Sequence, residues 1–180
     1  VIFPAWFLGR NPAKSVIAAS HTQELAERFG RRVRNIVAAR EYGNVFGVGV
    51  AEDSAAAGRW DTDKGGEYYA AGVGGSITGR RADLAIIDDP VKSREDADSE
   101  RGREKAWDWY TNDLLTRLKP GARQIVVMTR WHEDDLGGRI LERERERWHV
   151  IEIPMEAMDD DPLGRKPGER LWPEWFTVEH

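Results

Sequence analysis

The chain has 180 residues, 40% of them hydrophobic and 33% charged, with a net charge of −5. That is the composition of one soluble globular domain, large enough to bury a core without staples, and not of a disordered chain. There is no cysteine, which excludes disulfides and thiolate metal sites and fits an intracellular setting; no apolar run approaches the ~20 residues of a membrane-spanning helix. The negative balance argues against broad DNA binding as the main task, because proteins that grip DNA over a wide face carry a basic excess. A local basic patch stays open.

In chain order, Val1-Ile2-Phe3-Pro4-Ala5-Trp6-Phe7-Leu8 reads as the end of a helix whose start is missing, not as a signal peptide. Ser15-Val16-Ile17-Ala18-Ala19 is a buried strand candidate. Ser20 with Gln23 matches a capping box, and Leu25, Phe29, Val33, Ile36 and Val37 then recur at helical spacing. Residues 43 to 82 are rich in glycine and read as short strands and turns, with Glu67 to Val73 the best strand. Leu84-Ala85-Ile86-Ile87 is a continuous apolar run, the mark of a central parallel strand buried on both faces; it ends in Asp88-Asp89-Pro90.

Trp107, Tyr110, Leu114 and Leu118 mark a helix that Pro120-Gly121 is expected to end. Gln124 to Met128 is the next strand, with Thr129-Arg130-Trp131 at its carboxyl end. Asp134 and Asp135 open a helix carrying Leu136, Ile140 and Leu141, acids being favoured at that positive end. Glu142 to Arg147 continues as a solvated helical face, and His149 to Ile153 is a last strand. Alternation of strands and helices implies an α/β fold, a mainly parallel sheet with helices on both faces. Residues 1–155 form the domain; a Pro- and Gly-rich tail, 156–180, follows and closes on the aromatic stretch Leu171 to Phe176.

Ligands of open α/β sheets bind outside the carboxyl ends of the strands. Two strands present polar groups there, one ending in Asp88-Asp89 and the other in Thr129-Arg130. Paired acids after an apolar strand suit nucleotide hydrolysis: the first holds Mg²⁺, usually through water, and the second orients or deprotonates the attacking water. Adjacent acids on a strand point to opposite faces, so Pro90 is expected to turn the chain and bring both to one ligand. The plain alternative is that both acids only begin a turn.

Gly79 through Pro90, with Met128-Thr129-Arg130-Trp131-His132 some forty residues on, resembles the Walker B and coupling segments of phage terminase large subunits. Ala18-Ala19-Ser20-His21 and the final Leu171-Trp172-Pro173-Glu174 resemble that family too. The resemblance implies a P-loop NTPase core of ASCE type lacking its first strand, part of an ATP-hydrolysing motor that moves double-stranded DNA into a capsid. It implies ATP and Mg²⁺ as cofactors. It matches Asp88 to the Mg²⁺-associated acid and Asp89 to the catalytic carboxylate, which is glutamate in many relatives. Thr129 matches the coupling residue that senses the γ-phosphate, with Arg130 its neighbour at the nucleotide. Arg80, rather than Arg81, is the candidate arginine that approaches phosphates, in some relatives those of the adjacent subunit. The implied partners are double-stranded DNA, the portal protein and the small terminase subunit, in a homo-oligomeric ring in the host cytoplasm.

The chain has no G-x-x-x-x-G-K-[ST] string. Gly72 to Gly79 is Gly-rich but leads into a strand and lacks the lysine, so it is not the phosphate loop. That loop and a nuclease domain are expected before Val1 and after His180, and the fragment alone is expected to be inactive. His132, Glu133, Asp134 and Asp135 read as a helix start rather than a metal cluster. The alternatives are another P-loop ATPase such as a helicase, or a non-catalytic interaction module.

Overall fold

The computed structural model describes residues 1–54 and 56–175. Two compact units are present, Val1–Glu142 and Arg143–His180. The first is an α/β unit around a five-stranded mixed sheet of order β2-β3-β1-β4-β5. Its strands are β1 (Ser15–Ser20), β2 (Arg59–Asp61), β3 (Glu67–Gly72), β4 (Ala82–Asp88) and β5 (Leu118–Val127). The β3-β1, β1-β4 and β4-β5 pairs are parallel, and only the short edge strand β2 is antiparallel.

Side-chain alternation explains the core. Val16, Tyr68, Ala70 and Leu84 join one cluster with Ala26, Val33 and Val37 of α2 (Gln23–Val37) and Ala5 and Leu8 of α1 (Ile2–Arg10). Ile17, Ala85 and Ile87 occupy the alternate positions and are equally buried, so the central strands are covered on both faces. Ala26, Gly30, Val33 and Val37 form the buried stripe of α2. Gly30 is needed there, since a Cβ would stand 2.8 Å from the Ala57 carbonyl and 3.1 Å from the Tyr68 ring. Above that contact the Trp60 indole stacks on Tyr68 at 5.2 Å and donates to the Gly30 carbonyl.

Several boundaries differ from expectation. Ser20 is not a helix cap: it ends β1 and is buried, and Thr22 caps α2 by accepting from Leu25 N. Gln23 instead reaches β3, accepting from Gly72 N and donating to the Ala70 carbonyl. Residues 43–46 belong to a helix, α3 (Arg40–Phe46), that the glycine count hid. After α4 (Arg94–Asp98), the Trp107 helix is α5 (Glu100–Asp108), continuing as a π-helical stretch (Trp109–Leu114) and a 3-10 turn (Leu115–Arg117). Pro120-Gly121 does not end it. The pair lies in a bulge within β5, where Gly121 takes φ +77 and the register to β4 slips.

The helix opened by Asp134 and Asp135 is α6 (Leu136–Glu144), and Arg145–Arg147 is a 3-10 turn. His149 to Ile153 forms no strand, and Ile151 and Ile153 are exposed. Their alternating pattern had no neighbouring strand to pair with, and periodicity alone does not supply one. In the second unit Arg165 bonds Asp161 at 2.6 Å and the Pro154 carbonyl at 2.8 Å, beside an isolated bridge between Glu156 and Arg170. Phe176 lies outside the described residues.

Candidate functional site

Parallel register sets Ser20, Asp88 and Val127 in one row at the carboxyl edge of the sheet, with Gly72 beside Ser20. Asp88 lies on the same side of β4 as Leu84 and Ile86. It lines a cavity of about 220 Å³ bounded by Pro4, Ala18, Phe29, Ile86 and Val127. Asp89 opens on a separate cavity of about 110 Å³, with His21, Lys92, Met128, Thr129 and Trp131. The two carboxylates therefore begin from different sides of the strand end.

The chain turns at Asp89 rather than at Pro90, and the two acids open on separate cavities instead of one. Asp89 has φ +45, a left-handed backbone that costs a non-glycine residue about 1–3 kcal/mol. Aspartate adopts it more readily than longer side chains because its short polar group bonds locally. Asp89 N donates to the Val127 carbonyl at 2.9 Å, and His21 Nδ1 lies 3.3 Å from the Asp89 carbonyl. Burial, and then the negative charge of Asp89, push the Asp88 carboxyl above its ordinary pKa.

Thr129 is exposed in the Asp89 cavity, so Asp88, Asp89 and Thr129 share one sheet edge. Arg130 does not point there; its guanidinium closes on Asp135, Nε to Oδ1 at 2.8 Å. Arg80 lies at the opposite end of the sheet. It pairs with Glu67 and stacks on Tyr69 with 4.9 Å to the ring centroid. The seven residues of β4 set it roughly 20 Å from Asp88, at about 3.3 Å per residue. Arg81 is exposed.

Two residues at this edge escaped sequence reasoning. Ser20 is 1% exposed and its Oγ has no hydrogen-bond partner, although it stands in register with Asp88. A buried orphan hydroxyl calls for an explanation. His21, 68 residues before Asp89 in the chain, is brought by the fold to the Asp89 carbonyl. Only strand register reveals either residue.

The donor set fits Mg²⁺. Among the described residues no three His, Cys, Asp or Glu gather as a metal cluster. Mg²⁺ asks for one or two carboxylates and keeps waters and phosphates as its other ligands. A cation near Asp88 would hold that raised carboxyl ionised.

Fold and site together define an α/β protein with a mixed, mainly parallel sheet whose carboxyl edge carries Asp88, Asp89 and Thr129. The family model for the terminase large subunit, T4likevirus-type, N-terminal, matches residues 1–179. The chain belongs to the terminase large subunit family, which serves as the motor of phage DNA packaging. A comparison with curated proteins gives no match. Membership in this family displaces the helicase alternative. No helix among the described residues is long and apolar enough to cross a membrane.

Proposed function

We propose that this chain is the hydrolytic half of the ATPase that drives double-stranded phage DNA into a capsid, a P-loop NTPase core of ASCE type without its first strand. The supporting observation is the strand end: Asp88 ends β4 beside β5, Asp89 follows it, and Thr129 lines the same cavity as Asp89. Asp88 holds Mg²⁺ through water, with Ser20 alongside. Asp89 orients or deprotonates the attacking water. Thr129 contacts the γ-phosphate and passes the change into β5. Mg²⁺, when bound, neutralises charge on the transferring phosphoryl group.

The cavity at Asp89, about 110 Å³, is below the ~300 Å³ at which ligand pockets begin. On this reading the phosphate loop comes from another part of the protein and completes the pocket. Its strand pairs with the outer side of β5, which ends the strand order and leaves Val127 exposed. Arg80 serves the nucleotide of an adjacent subunit in a ring, since its own Asp88 lies at the far end of β4. The DNA backbone meets the outer face of α2. Arg28, Arg31 and Arg32 are exposed there, within a stretch from Arg28 to Arg40 that holds five arginines and no acid. The portal protein and the small subunit are the further partners, in the host cytoplasm.

The test is Asp89→Asn in the full-length protein. Nucleotide binding is retained and steady-state ATP hydrolysis falls at least ~100-fold, the scale of a lost general base. Unchanged hydrolysis removes Asp89 from the mechanism. If the unaltered full-length protein shows no hydrolysis, the non-catalytic reading stands.

A further inference from the structure

The segment after Thr129 is fastened by contacts that the site as described does not require. Asp135 is 1% exposed. Its carboxylate makes three contacts: Oδ1 accepts from Gly138 N at 2.9 Å and so caps α6, both oxygens face Arg130 Nε at 2.8 and 3.0 Å, and Oδ2 accepts from His132 N at 3.5 Å. Arg130 Nη2 also donates to the Glu133 carbonyl at 3.3 Å. Among the described residues Thr129 makes no side-chain hydrogen bond, and Arg130 is the next residue along the chain.

Two glycines permit this closeness. A Cβ at Gly138 would lie 1.8 Å from the Glu133 carbonyl oxygen and 2.8 Å from Arg130. One at Gly137 would lie 3.1 Å from Met128 Sδ and 3.3 Å from Arg130. The neighbouring Asp134 is tied further afield, to Arg139 at 2.7 Å and to Arg103 of α5 at 3.1 Å, while Glu104 of α5 holds Arg139 at 2.8 Å. The loop that carries Thr129 is thus clamped to the first turn of α6, and α6 is bound to α5.

We propose that Asp135 is a positioning residue: through Arg130 it fixes Thr129 at the strand end, so that the Thr129 loop, α6 and α5 move as one body. This rests on the hydrolytic reading of Asp89 and Thr129. A purely structural role would need only the helix cap, which a neutral acceptor provides as well. The charge pair with Arg130 adds nothing to the cap. It does set where residue 129 sits, and small displacements of a positioned group are costly to turnover.

The experiment uses Asp135→Asn and Arg130→Gln, singly and together, in the full-length protein. Asp135→Asn keeps an oxygen for Gly138 N and loses the ion pair. Each single variant lowers kcat for ATP roughly tenfold with KM within about twofold, and the double variant is no slower than either, as for one shared contact. Asp135→Asn speeds amide hydrogen exchange at 129–131 and leaves exchange in β1 and α2 unchanged. Additive losses in the double variant, an unchanged kcat, or faster exchange throughout the sheet would overturn the proposal. Asp89→Asn, measured in parallel, separates the failures. If it abolishes hydrolysis while Asp135→Asn does nothing, only the positioning role falls; if it leaves hydrolysis intact, the hydrolytic site falls and this role with it.

Discussion

The two ends of β4 carry the same side chain in opposite circumstances. At the start, Asp83 accepts from Ser15 N and from Lys119, each at 2.8 Å, with Lys14 at 3.9 Å. Burial works against its charge, but the bonds from Lys119 and Ser15 outweigh it and hold the carboxyl below its usual pKa. At the finish, Asp88 is half-buried with another acid beside it, and its pKa is raised. One end is satisfied and ties three strands together; the other leaves a carboxyl without a cationic side-chain partner among the described residues. Carboxyls held out of their ordinary range in this way cluster at functional sites.

Removing the satisfied end should cost most. Asp83→Ala strands Ser15 N and frees both lysines, so urea unfolding should show a loss of about 1–2 kcal/mol, held down because the lysines keep access to water. No loss would mean the β4 start is as unpartnered as its finish. Asp88→Asn should do the reverse by a smaller amount and raise the thermal midpoint at pH 7. The sign follows from the raised carboxyl: its favourable contribution is complete below the ordinary value of 3.8 and is lost as pH rises through the higher folded value. The advantage of Asp88→Asn should therefore shrink on acidification and vanish below that pH. Asp83 runs the other way, its contribution being present above 3.8 and lost as pH falls. A midpoint lowered by Asp88→Asn at pH 7 would end the contrast. Ser20→Ala should move stability least, by under about 1 kcal/mol, because it removes a hydroxyl with no partner. In the full-length protein it should raise the Mg²⁺ concentration needed for half-maximal hydrolysis, and an unchanged Mg²⁺ dependence would reduce Ser20 to a packing residue.

The sequence disclosed what period and punctuation can carry. The apolar runs of β1 and β4 and the stripe of α2 were legible because each repeats at its own interval. Asp88 and Asp89 were legible because acids directly after a buried strand are conspicuous. What stayed hidden depends on which strand lies beside which. Nothing in Ser20-His21-Thr22 says that Ser20 pairs with Asp88 or that Thr22 is the true cap; the parallel register decides the first and the bond from Leu25 N to Thr22 the second. His149 to Ile153 shows the opposite failure, a correct alternation with no strand to pair with. Arg130 beside Thr129 suggested a phosphate ligand, whereas the buried Asp135 five residues on claims its guanidinium.

The left-handed turn at Asp89 also constrains how this position can evolve. Aspartate, asparagine and glycine enter that conformation at little cost, while glutamate and β-branched residues resist it. Exchange of this acid for glutamate would have to bear the left-handed turn or straighten the backbone between Asp88 and Pro90. Substitutions at 89 and 90 are therefore expected to arise together, and an isolated change to glutamate should be purged before its longer reach can be selected.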